Sequence, residues 1–83
     1  MYKTKHAEIR QQQRGIKNET VDLLFQYGKM KFQNDGTRVL FFPRKVKSTV
    51  EKKHLKIKNL KNAFAILCAD EDRIITIGHR YKH

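Results

Sequence analysis

The sequence predicts an α+β domain with helices on one face of a small antiparallel sheet. Three observations carry that prediction. Two short helix-forming stretches stand near the N-terminus, over 5–14 and 18–28. Two pairs of strand-forming runs follow, broken at Asn34-Asp35-Gly36 and at Asp70-Glu71-Asp72. A lysine-rich stretch with an apolar stripe separates the two pairs. The chain of 83 residues makes one domain, 1–83. A chain of this size buries roughly 60–65% of its unfolded surface, so the core is modest.

The first helix, Lys5–Arg14, contains strong helix formers and no proline, and Gly15 stops it. Only Ala7 and Ile9 in it are apolar, so it buries little. Its ordered feature is polar: His6, Arg10 and Arg14 stand at i, i+4 and i+8 and form one stripe. In the second helix Asn18 is the expected N-cap, and Glu19 and Asp22 favour the positive end of the dipole. Val21, Leu24 and Phe25, helped by Leu23, form its apolar face, and Gly28 closes it. Ile16 packs back on that face.

Lys29–Gln33 and Thr37–Phe42 form a hairpin around Asn34-Asp35-Gly36. Val39-Leu40-Phe41-Phe42 is apolar on both faces, as in a central strand, and Pro43 ends it. Residues 44–61 hold Arg44, Lys45, Lys47, Lys52, Lys53, Lys56, Lys58 and Lys61 against one acid, Glu51. Val46, Val50, Ile57 and Leu60 fit a helical stripe. A basic amphipathic helix is expected over about 48–58, with Ser48 as cap and Glu51 completing a capping box. The alternation Leu55-Lys56-Ile57-Lys58 is the contrary, strand-like signal. Asn62–Ala69 and Arg73–Tyr81 make a second hairpin, with the β-branched run Ile74-Ile75-Thr76-Ile77 its clearest strand. A very short strand at Tyr2–Thr4 completes the order.

Nineteen lysines and arginines against eight acids give a formal charge of +11. The resulting self-repulsion is relieved by an anionic partner, and nucleic acid leads because phosphates give basic surfaces sequence-independent affinity. The lone Cys68 excludes an intrachain disulfide. It lies in the apolar run Ala63–Ala69 and is expected to be a small buried thiol in a reducing cytoplasm. No apolar run approaches the roughly 20 residues of a membrane span, so no membrane partner is expected. The histidines form no zinc-like cluster, so no metal or other cofactor is expected. There is no carboxylate pair, glycine-rich phosphate loop or nucleophile elbow.

The stretch His6-Ala7, Arg10-Gln11-Gln12-Gln13-Arg14-Gly15-Ile16, Val21-Asp22-Leu23-Leu24 and Tyr27-Gly28 resembles the opening of a group of small prokaryotic proteins. The ending Ile74-Ile75-Thr76-Ile77-Gly78-His79-Arg80 resembles theirs as well. That group is placed in the RelE/ParE toxin superfamily, beside the BrnT-like proteins, and the resemblance covers roughly 6–80. It implies a twisted antiparallel sheet with two N-terminal helices on one face. It implies a type II toxin that cuts RNA or attacks a DNA-linked target, RNA cleavage being favoured over DNA nicking, neutralised by a cognate antitoxin and acting on RNA, DNA or ribosome-bound message. RelE-type nucleases work without metal, through basic side chains and a histidine or tyrosine near the chain end. Here that region is Ile77–His83.

Such cleavage needs a base for the 2′-hydroxyl, cations for the developing phosphorane charge and an acid for the leaving oxygen. Histidine suits the first and last roles and arginine the phosphate. Two places offer both: the stripe His6, Arg10, Arg14, and the terminal His79, Arg80, Tyr81 with His83. They converge if the first helix packs beside the end of the last strand. The competing readings are a solvated or acid-paired stripe, a frayed terminus, and a solvated basic face over 44–61. Beside the toxin reading stand a non-catalytic nucleic-acid-binding module and a module that docks an acidic partner.

Overall fold

The computed structural model describes residues 2–71 and 73–80. Helix α1 spans Lys5–Gln13, and its start is set by Thr4, whose Oγ1 accepts from the Ala7 amide at 3.1 Å. The same hydroxyl donates to the Ile75 carbonyl at 3.2 Å, and the Thr4 amide donates to that of Ile74 at 3.0 Å. The cap therefore also fastens the helix to the last strand. At the other end Gly15 is left-handed (φ 63°). Its amide donates to Gln12 and that of Ile16 to Gln11, the paired bonds of a Schellman motif. Ala7 and Gln11 are buried, while Ile9 is 44% exposed.

Helix α2 spans Asn18–Tyr27. Asn18 is inside it and Lys17 holds the cap position without a side-chain bond, which corrects the expected N-cap. The Asn18 side chain is occupied elsewhere. Its Oδ1 accepts from Gln11 Nε2 at 2.7 Å and from Lys3 Nζ at 2.8 Å, and Lys3 Nζ also donates to Gln11 Oε1 at 2.6 Å. A buried amide leaves few polar groups unmade, so this cluster locks α1 against α2.

Strands β1 (Tyr2–Lys3), β2 (Lys29–Phe32), β3 (Thr37–Phe41), β4 (Ala63–Cys68) and β5 (Arg73–His79) form one sheet in the order β1-β5-β4-β3-β2. β2 to β5 are antiparallel and β1 lies parallel to β5. The turn before β3 forms as its residues demand: Gly36 has φ 81° and Asp35 Oδ1 accepts from the Thr37 amide at 3.2 Å.

The strands sort their side chains by face. Ala63, Ala65 and Leu67 of β4 are buried against the helices with Leu40, Ile74 and Ile77. Val21, Leu24 and Val50 cover them. Phe64, Ile66 and Cys68 alternate to the opposite face and stay partly exposed. Cys68 is thus not the fully buried thiol expected; its Sγ accepts from the Arg73 guanidinium at 3.5 Å.

Helix α3 spans Arg44–Lys53, not 48–58. The Pro43 carbonyl accepts from the Val46 and Lys47 amides and opens the helix four residues early. Ser48 lies inside α3, and Glu51 is 3.6 Å from Lys61 in place of closing a capping box. After His54 the chain is irregular, and Asn59 turns left-handed (φ 56°) before a single tight helical turn at Leu60–Asn62. Leu55, the first residue of the strand-like alternation, is 79% exposed. No described helix is long and apolar enough to cross a membrane.

Candidate nucleic-acid interface

Strand β5 places the C-terminal candidates because alternation sends neighbouring residues to opposite faces. His79 pairs with Ala63 and faces the helices; Arg80, just beyond the strand, emerges with Gly78 on the other face. The Arg80 amide donates to the Asn62 carbonyl at 2.7 Å, so this residue is held by backbone. Tyr81 and His83 lie outside the described residues.

The end of α1 packs beside β5 and brings the Arg14 side chain to the open-face side of Gly78. The Arg14 Cδ is 3.7 Å from where a β-carbon on Gly78 would sit. The His79 imidazole is partly buried, and its pKa is pushed below the usual 6.5, first by that burial and then by the Arg14 cation. A neutral imidazole beside a permanent cation is the state a proton acceptor needs at neutral pH. His79 opens on a cleft of about 260 Å³ that Gly15, Lys17, Thr20, Lys56 and Lys58 also line. Arg14 of the helical stripe and Lys56 and Lys58 of the basic segment therefore both act at one imidazole.

The stripe does not arrive whole. His6 lies eight residues before Arg14, about 12 Å along the axis at 1.5 Å per residue, so only its last member reaches His79. His6 is exposed and Arg10 half-buried. Their side chains form no hydrogen bond or ion pair with another described residue, and neither Arg10 nor Arg14 pairs with Glu8 or Asp22.

The basic residues of 44–61 are spread over three places. Lys56 and Lys58 line the His79 cleft. Lys52, Lys53 and Lys56 surround a second cleft of about 340 Å³ with Glu19, His54 and Leu55, and Lys53 Nζ lies 5.9 Å from the Tyr27 ring. Lys47 and Lys61 stand near Arg80 and Phe41 at the end of the sheet. Arg44 and Lys45 are exposed on the first turn of α3. Among the described residues, no three His, Cys, Asp or Glu side chains gather as a metal site.

Arg80 has a setting that the sequence does not show. Its guanidinium lies 5.3 Å from the Phe41 ring centroid and 5.6 Å from that of Phe64. Phe41 and Phe64 are cross-strand partners, and Phe64 also pairs with Gly78. A β-carbon on Gly78 would come to 3.0 Å from the Phe64 ring, so glycine there makes room for the ring. Lys17, Phe41 and Phe64 carry no local sequence signal for such roles, because register and helix packing create them.

No protein-family model, curated protein or solved structure matches this chain. The site therefore rests on its geometry.

Proposed function

We propose that the protein is an endoribonuclease of the RelE/ParE toxin type, held in check by an antitoxin and acting in the cytoplasm. The observation that carries the reading is the partly buried His79 imidazole, its pKa lowered by burial and then by the Arg14 cation, in a cleft edged by Lys56 and Lys58. The lysines hold the phosphates. The imidazole takes the 2′-hydroxyl proton as that oxygen bonds to phosphorus. Arg14 stabilises the charge on the phosphorane. The bond from phosphorus to the 5′-oxygen breaks, and water protonates the leaving oxygen. The products are a 2′,3′-cyclic phosphate and a 5′-hydroxyl. The N-terminal motifs that resemble the toxin group, and the two N-terminal helices on the sheet, agree with this reading.

His79→Gln and Arg14→Ala are each expected to lower cleavage of an RNA oligomer by on the order of 100-fold with the fold retained. Undiminished cleavage by His79→Gln sinks the catalytic assignment. The second reading, a non-catalytic binder of RNA or DNA, is favoured by Arg44, Lys45, Lys52, Lys56 and Lys58, which form no ion pair with a described residue. Salt-sensitive binding without cleavage or toxicity on expression selects it.

A further inference from the structure

The face of the sheet opposite the helices is an organised surface that the His79 cleft does not use. Val39, Phe41, Phe64, Ile66 and Thr76 share it, as their cross-strand pairing shows. Val39 is 2% exposed, yet it lies outside the helix-side core cluster, so the open face has a small apolar cluster of its own. Lys29 and Lys31 of β2 pair with Phe41 and Val39 and point to the same side. Arg80 flanks the other edge. The strand positions on this face carry lysine but no carboxylate.

Aromatic rings in a strand surface rimmed by cations match one chemistry well. Every nucleobase has a π-face to stack on a ring, and its phosphates follow the cations. An arginine with its guanidinium near both rings adds a second planar surface and a phosphate fork. An acidic peptide would satisfy the lysines and leave the rings without a specific partner. A duplex would keep its bases from the rings.

We propose that the open face is a stacking platform for single-stranded RNA, with bases on Phe41, Phe64 and the Arg80 plane, and phosphates on Lys29 and Lys31. The assignment rests on the reading of the protein as an RNA binder and adds the strand's form and path. A strand on this platform leaves it at the end of β5, where the Arg14 side chain reaches Gly78 and His79 stands on the opposite face.

The test uses a fluorescein-labelled 2′-O-methyl oligouridylate, which has no free 2′-hydroxyl and stays intact, and an abasic strand of equal length. Phe64→Leu keeps apolar bulk and removes the ring. It is expected to weaken the oligouridylate by about 5- to 100-fold, the range for one stacked base, and to leave the abasic strand unchanged. Its salt dependence should stay as in wild type. Lys29→Gln and Lys31→Gln should instead each lower the slope of log K against log salt by about 0.7. In unmodified protein, the ring protons of Phe41 and Phe64 should shift on titration with oligouridylate and stay put with the abasic strand, which tests the proposal even where a variant folds poorly. Equal binding of both strands by wild type, or ring protons that do not move, overturns the platform. Loss of binding on changing Lys56 and Lys58, with none on changing Phe64, overturns it while sparing the RNA reading. Wild-type protein that takes up polyglutamate and no oligonucleotide overturns both.

Discussion

The two faces of the sheet are made by alternate residues of the same strands, yet they are built for different ends. Toward the helices β4 presents Ala63, Ala65 and Leu67, and small side chains let α2 approach the backbone closely. On the other side the same strand presents Phe64, Ile66 and Cys68, and none of them is fully covered. Burial is complete on the helix side, where two of the three are alanine, and incomplete on the open side, where two of the three are large. Cohesion is thus concentrated on one face, which leaves the other free to carry rings and cations. In a domain with so little core, the packed residues and the exposed rings and cations are separated by a period of two.

That separation can be broken most directly at two adjacent residues. Leu67 is fully buried on the helix side and Ile66 is partly exposed on the open side. Leu67→Ala should cost about 2–5 kcal/mol, the range for a leucine cavity, in chemical denaturation. Ile66→Ala should cost clearly less, because water already reaches part of the site. Equal losses would mean that both faces are load-carrying core.

A smaller effect on stability and a larger one on binding is expected from replacing Lys52, Lys53, Lys56 and Lys58 together by glutamine. Salt dependence of RNA binding should flatten by about 0.7 per lost phosphate contact. Thermal stability should hold or rise as self-repulsion falls. An unchanged salt slope would remove the segment 44–61 from the interface.

The smallest effect concerns pH. The folded-state pKa of His79 is lowered, so the unfolded chain binds its proton more readily. Its contribution to stability is present above pH 6.5 and is lost as pH falls below that value. Between neutral and mildly acidic pH, the melting temperature of His79→Gln should therefore fall less than that of the wild type. Parallel curves would show that burial and Arg14 do not act on the imidazole as described.

Much of this fold is legible locally. The hairpins follow from Asn34-Asp35-Gly36 and from the run Ile74–Ile77, whose turn and strand preferences need no tertiary help. The first two helices follow from Gly15, Gly28 and the apolar face of 21–25. The boundaries of α3 do not, because a side-chain cap at Ser48 competes with a backbone start after Pro43, and the proline carbonyl wins. At the site, helical spacing aligned Arg14 with His6 and Arg10, but only the packing of α1 on β5 selects the one that meets His79. The stack of Arg80 on Phe41 and Phe64 is wholly non-local. Those residues are 16 or more positions apart, and a register that no short motif encodes brings them together.

Helix α1 is attached to the domain mainly by polar fastenings: the Thr4 cap on β5, the Lys3–Gln11–Asn18 cluster and the Schellman turn at Gly15. Buried apolar contact contributes little, since Ala7 is its one buried apolar residue. Elements held in this way open at lower free energy than a strand such as β4, and they open locally. Arg14 rides on α1 and His79 on β5, so the pair can come apart while the rest of the domain stays folded. The lifetime of the assembled pair is then a property of one short helix, adjustable by substitutions on Gln11 or Asn18 that touch neither member of it.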